Sequence, residues 1–234
     1  MEEDLNIQNK TETKSKVERI QVAVRVRPFL NKEYTKEEVV YWDAKKKSIK
    51  ISDLTHVVES KYDKILDQKA SQQQSFNFVK DSIEDAINGI NCTIFAYGQT
   101  GSGKTYTMFG PKWEESVASR LMACYNKNDF FSNTENHGLI PRSISELFNK
   151  IDTSTYSVYC SFIQIYNEKL YDLLQDPNTE NPLIIREEKS SSSTNKIGNI
   201  EYPSVSMYVQ GLTEYLVQNE RECFVLLKRG ERNR

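Results

Sequence analysis

The stretch that most restricts what this chain can fold into is FAYGQTGSGKTYTMFG, residues 95–110. Gly98, Gly103, Lys104 and Thr105 satisfy G-x-x-x-x-G-K-[ST], the spacing at which a backbone loop wraps a phosphate chain. Glycines let successive N–H groups turn inward toward phosphate oxygens, a lysine adds a compact positive charge, and a hydroxyl supplies a metal ligand. Lys104 is therefore expected to reach the β- and γ-phosphates of a nucleoside triphosphate and Thr105 to ligate Mg²⁺. Gln99, Thr100, Gly101 and Ser102 form the loop interior. The motif requires a strand before the loop and a helix after it. CTIFAY (92–97) is a short apolar run, expected of a strand buried on both faces, and KTYTMF begins a helix.

The rest of the pattern alternates strands with helices. RIQVAVRVRPF places Ile20, Val22, Val24 and Val26 on one side of a strand that Pro28 ends. SIKIS and YDKIL give short strand-like pieces, and QQQSFNFVKDSIEDAINGI has helical spacing that stops near Gly89. GLIPRSISELFNKI predicts an amphipathic helix with Pro141 in its first turn. TYSVYCSFIQIYNEKLYDLL predicts a long opening strand, and SMYVQGLTEYLV two strands around Gly211. Asn219, with Glu222 three residues on, predicts the cap of a last helix. Residues 1–18 are expected to be a flexible extension, 111–136 an insertion, and the serine-rich EEKSSSSTNKIGN a mobile loop. Together these imply an α/β fold with a sheet covered by helices on both faces.

Composition excludes several classes. A chain of 234 residues suits a single domain with one sizeable core. Its net charge of −2 gives no global case for nucleic-acid binding. No apolar run approaches the roughly 20 residues of a membrane span, and the polar N-terminus has no signal-like apolar centre. Cys92, Cys124, Cys160 and Cys223 lie far apart in sequence and are expected to be single, buried, reduced thiols, each separate from the others. His56 and His137 have no ligand-like spacing, so a zinc site is not expected. NKID (149–152) matches a guanine-recognition pattern, yet it follows an amphipathic helix and no D-x-x-G accompanies it. It is read as a helix end, which argues against GTP.

IFAYGQTGSGKTYTM closely resembles the phosphate loop of the kinesin motor domain. RVRP (25–28), GLIPRSISELF, SFIQIYNEKLYDLL, VQGLTE and LLKRGERNR resemble further kinesin elements in the same order, so the likeness runs from about residue 20 to 234. The resemblance implies a mixed central sheet of the phosphate-loop NTPase type, ATP with Mg²⁺ as ligands, and ATP hydrolysis coupled to movement along microtubules. It implies a cytoplasmic, microtubule-associated location. It also implies that Arg25 and Pro28 flank the adenine and that Tyr106 stacks on it.

Two departures accompany the resemblance. The kinesin switch motifs N-x-x-S-S-R-S-H and D-x-x-G-x-E do not occur in the 234 residues. The expectation is therefore the N-terminal part of a motor domain, incomplete as a fold, poorly folded or aggregating when expressed alone, and not catalytically competent by itself. The alternative is a truncated nucleotide-binding or scaffold protein without ATPase activity. The serine-rich segment near 190–206 enlarges a loop that resembles a secondary microtubule contact. Arg186, Lys189 and Lys196 are candidates to meet the acidic tubulin surface, and solvated surface charge is the competing reading.

Overall fold

In the computed structural model the described residues are 20–30, 33, 39–52, 55–111, 134–176, 183–197 and 200–234. The expected extension at 1–18 and most of the insertion at 111–136 lie outside them. The chain forms two compact units, Met1–Ala70 and Ser71–Arg234.

In the first unit, β1 (Ala23–Arg25) pairs in parallel with β5 (Lys64–Leu66), whose Ile65 and Leu66 are buried. The strand is shorter than the alternation from Ile20 to Val26 predicts. Only Ala23–Arg25 has a register partner, and Ile20 is 84% exposed. Beyond β1, Arg27 donates from Nη1 and Nη2 to the two carboxylate oxygens of Glu33, 2.8 Å each. That fork raises the Arg27 pKa and fixes the chain around Pro28. The remaining strands, β2 (Val40–Asp43), β3 (Ser48–Ser52) and β4 (Val57–Lys61), form an antiparallel sheet. Its first turn is held by Asp43, whose Oδ1 accepts from the N–H groups of Lys45 and Lys46 at 2.9 Å.

The second unit starts with α1 (Gln72–Ile87), closed by a capping box. Ser71 Oγ accepts from Gln74 N–H at 3.1 Å, and the Ser71 N–H donates to Gln74 Oε1 at 2.8 Å. The helix ends as predicted, with Asn88 as its C-cap and Gly89 at φ 89°. It runs beside α3 (Leu139–Lys150), to which it is tied by Lys80–Glu146 and Lys150–Glu84, while Lys150 also pairs with Glu146 within α3. Pro141 does fall in the first turn of α3. NKID proves to be that helix's end, with Lys150 its last residue and Asp152 Oδ1 accepting from Ser154 N–H at 2.9 Å. Between these helices in sequence lies α2 (Lys104–Met108).

The long strand expected from TYSVYCSFIQIY is broken. β6 (Val158–Cys160) and β7 (Ile163–Tyr166) are separated where the Phe162 carbonyl accepts from Leu173 N–H at 2.9 Å. β7 turns tightly into β8 (Lys169–Asp172) through Asn167 and Glu168, at φ 49° and 61°. Asp172 then braces the unit: its Oδ1 accepts from Leu174 N–H and its Oδ2 from Thr213 N–H, both 2.8 Å. β11 (Tyr215–Val217) pairs antiparallel with β6.

Two expectations change. The serine-rich loop is instead part of a long antiparallel hairpin, β9 (Ile184–Ile197) with β10 (Ile200–Gln210). A polar composition does not forbid a ladder, because the backbone makes the bonds, and the register shifts only at Pro203–Val205, where proline has no N–H to donate. CTIFAY, conversely, joins no sheet among the described residues, and Phe95 and Tyr97 are 76% and 95% exposed. An unbroken apolar run signals a doubly buried strand only where neighbours exist to cover it. The strands accordingly pair in small groups.

The last helix, α4 (Glu220–Asn233), supplies the core. Phe224 and Leu227 are buried against Phe109, Ile140, Ile144 and Phe162. Asn219 Oδ1 accepts from Glu222 N–H at 3.1 Å, while Glu222 Oε2 accepts from Gln218 N–H at 2.8 Å, the capping variant the sequence predicts. Asn219→Ala is expected to cost about 1 kcal/mol in a chemical-denaturation series. An unchanged midpoint would deny the cap its role. Among the described residues the thiols of Cys92, Cys160 and Cys223 are free, and Cys92 is exposed where burial is expected. Cys160 and Cys223 are not separate, however: they hydrogen-bond across β6 and α4, which lowers the Cys160 pKa to about 7 and pushes Cys223 up.

Candidate functional site

The loop between Gly98 and Lys104 turns back on itself. Ser102 N–H donates to the Gln99 carbonyl at 3.1 Å, and a Cβ on Gly98 would lie 2.5 Å from Ser102 Oγ. Gly101 and Gly103 sit at φ 80° and 101°, a region that side chains with a Cβ rarely adopt. Gly103 is the N-cap of α2 and brings no side-chain cap to it. The helix opens on Lys104 and Thr105, so both functional side chains project from its first turn. Lys104 Nζ donates to the carbonyls of Gly98 and Gln99, at 2.7 and 3.0 Å, which holds the ammonium over the loop. Gln99, Thr100 and Thr105 are exposed, and the Tyr106 residue is 46% exposed.

The structure therefore brings together the loop residues Gly98, Gln99, Thr100, Gly101, Ser102 and Gly103 with Lys104, Thr105 and Tyr106. Arg25 and Pro28 belong to the first unit, where Arg25 Nη2 donates to the Ala70 carbonyl at 3.3 Å. Arg186 lies on β9 opposite Tyr208 and donates from Nε to Gln210 Oε1 at 2.9 Å. Lys189 and Lys196 stand opposite Val205 and Glu201 in the same ladder.

Several supporting residues were not visible as such in the sequence. Gln72 Nε2 donates to the Tyr106 carbonyl at 2.7 Å. Arg142 on α3 donates from Nε to the His137 carbonyl at 2.8 Å, from Nη2 to the Glu135 carbonyl at 3.0 Å, and from Nη1 to Gln73 Oε1. Gly138 N–H donates to the Phe109 carbonyl at 3.1 Å, joining the start of α3 to the end of α2. The S-x-x-Q of Ser71 to Gln74 was a legible cap signal. It identifies the start of α1, but not what Gln72 would reach.

Comparison with known proteins decides what this loop belongs to. A family model described as the kinesin motor domain matches residues 25–234. The chain belongs to the kinesin motor family. It is similar to kinesin-related protein 5 of Dictyostelium discoideum, 32% identical over 224 residues, which cover 92% of this chain and 19% of that protein. It is similar to kinesin-like protein cut7 of Schizosaccharomyces pombe, 35% identical over 176 residues, 74% of this chain and 14% of that one. The solved structure of a fast kinesin aligns at a TM-score of 0.69 with 26% identity, covering 92% of this chain and 52% of that chain. This kinesin-family chain thus spans a fifth or less of those two relatives and about half of the solved motor. Its mixed helix–strand architecture is that of the phosphate-loop NTPase fold.

Proposed function

We propose that this protein is an ATP-driven microtubule motor of kinesin type, with MgATP held by Gly98–Thr105. The observation that carries the reading is the loop itself: positive-φ glycines, an ammonium over the loop and a hydroxyl on the first turn of α2 form one continuous device. These residues fit the ligands. Lys104 exchanges two carbonyls for phosphate oxygens, a charge-assisted and stronger bond. Thr105 offers Mg²⁺ an oxygen, the donor type that this cation takes. When bound, the metal would neutralise charge that develops on the transferred phosphoryl group.

The resemblance adds Tyr106 as the stacking partner of the adenine, and its exposed ring is compatible with that role. It adds Arg25 and Pro28 as flanking contacts. The same reading gives microtubules as partner and the cytoskeleton as location, with Arg186, Lys189 and Lys196 meeting the acidic tubulin surface. Arg186 would have to share its guanidinium with Gln210.

The test is microtubule co-sedimentation of the full-length protein with and without ATP, together with phosphate release. ATP is expected to release the protein from microtubules, and microtubules to stimulate phosphate release. Binding of ATP without either effect would leave a nucleotide-binding protein and remove the motor.

A further inference from the structure

We infer that Gln72 is a positioning residue for the nucleotide base, acting through Tyr106. The inference rests on the reading of Gly98–Tyr106 as an ATP site and names a residue that the phosphate motif does not include.

The geometry starts at Ser71. Its capping box fixes the first turn of α1, and the Ser75 hydroxyl adds a third bond by donating to the Ser71 carbonyl at 3.2 Å. Gln72 is therefore the first residue of a well-anchored helix, and it is only 4% exposed. A buried amide needs partners, since desolvating it without them costs more than a typical hydrogen bond returns. Its Nε2 donates to the Tyr106 carbonyl, an oxygen that can only accept, so the orientation of the amide is set by that contact.

Gln72 holds α2 at its middle, between the loop at its start and the junction with α3 at its end, where Gly138 N–H donates to the Phe109 carbonyl at 3.1 Å. Helix α2 has five residues, no side-chain cap and no buried residue. A helix that short has little stability of its own and takes its orientation from its surroundings. The Tyr106 carbonyl already accepts from Gly110 N–H at 2.9 Å within the helical ladder. The Gln72 amide therefore approaches as a second donor and constrains rotation of α2 about its axis. Such a rotation moves the exposed ring of Tyr106 sideways across a base. Lys104 opens the same helix, but its long flexible stem can keep the two carbonyl bonds through a small rotation, and the loop has its own Ser102–Gln99 turn, so the phosphate contacts shift less than the rigid ring does. Gln72 thus governs recognition of the base more than of the phosphates.

The experiment compares ATP with inorganic tripolyphosphate, which has the phosphates and no base, as ligands of the full chain. Gln72→Met keeps the length and bulk of the side chain and removes the donor. It is expected to weaken ATP binding about 3- to 10-fold, the worth of one neutral hydrogen bond. Tripolyphosphate affinity should stay within twofold, an effect a general loss of fold would not produce. In a double-mutant cycle, Gln72→Met on top of Tyr106→Ala should add nothing further. Gln72→Leu, a smaller apolar side chain that also lacks the donor, provides the same comparison should the methionine variant not fold. Equal losses for both ligands, or additive effects in the cycle, would overturn the inference while leaving the ATP site standing. Failure of the unsubstituted chain to bind either ligand would overturn the site and the inference together.

Discussion

Lys104→Ala is expected to reduce ATP affinity about 10- to 100-fold, the range for loss of a hydrogen bond to a charged group. The side chain contributes nothing to the core: its ammonium is bonded to the Gly98 and Gln99 carbonyls, on a loop that faces solvent. Removing it frees two carbonyls that water can satisfy, so thermal unfolding should move little. The loss falls on the bound state, where a compact charge no longer faces the phosphates. Lys104→Arg should not restore affinity, because a planar fork of donors on a longer stem does not fit a loop closed by Ser102 N–H on the Gln99 carbonyl. Equilibrium titration with a fluorescent ATP analogue reads the effect. Affinity within twofold of the unsubstituted chain would remove the loop from the binding site.

How much of this was legible depends on the range of the interaction. The loop was, because G-x-x-x-x-G-K-T is a local constraint and its φ angles follow from residue type. Helices α1, α3 and α4 were legible for the same reason, through their spacing and the Asn219 cap. The strands were read less well. CTIFAY has the composition of a central strand, and composition cannot say whether partners lie alongside it. The alternation from Ile20 outruns the three residues that pair with β5. The serine-rich segment has little strand propensity, yet it lies in a ladder, because the backbone groups that pair strands are common to nearly every residue type. The Cys160–Cys223 pair joins residues 63 positions apart through the packing of β6 and α4, and no spacing rule anticipates it. Gln72 and Arg142 are of the same kind: polar residues whose meaning lies in a carbonyl brought near by another element.

The largest expected effect on stability is at Gly138, which opens GLIPRSISELF and lies outside the phosphate loop. It sits at φ −76°, where any residue is comfortable, so its requirement is steric and not conformational. A Cβ there would lie 2.5 Å from the Met108 carbonyl carbon, 2.6 Å from its oxygen and 2.6 Å from Phe109 N. All three are backbone atoms and cannot swing away as a side-chain tip can. Gly110 faces the same junction, with its own Cβ position 2.3 Å from the Asn136 carbonyl oxygen. The end of α2 and the start of α3 are thus in backbone contact, and the segment between them leaves and returns at one point. Gly138→Ala must push the two apart, at the usual overpacking cost of about 1–3 kcal/mol. For a chain of this size that lowers the melting temperature by roughly 2–4 °C per kcal/mol. Because Phe109 packs on Phe224 and Leu227, the displacement also pulls at the core, and because Met108 ends α2, ATP affinity should fall with stability. Gly89→Ala is the control: its φ of 89° is strained, but nothing lies within 4 Å of the added Cβ, so no neighbouring backbone is displaced. It should lower stability without weakening ATP binding. If Gly138→Ala melted and bound ATP like the unsubstituted chain, the close junction of α2 and α3 would be wrong.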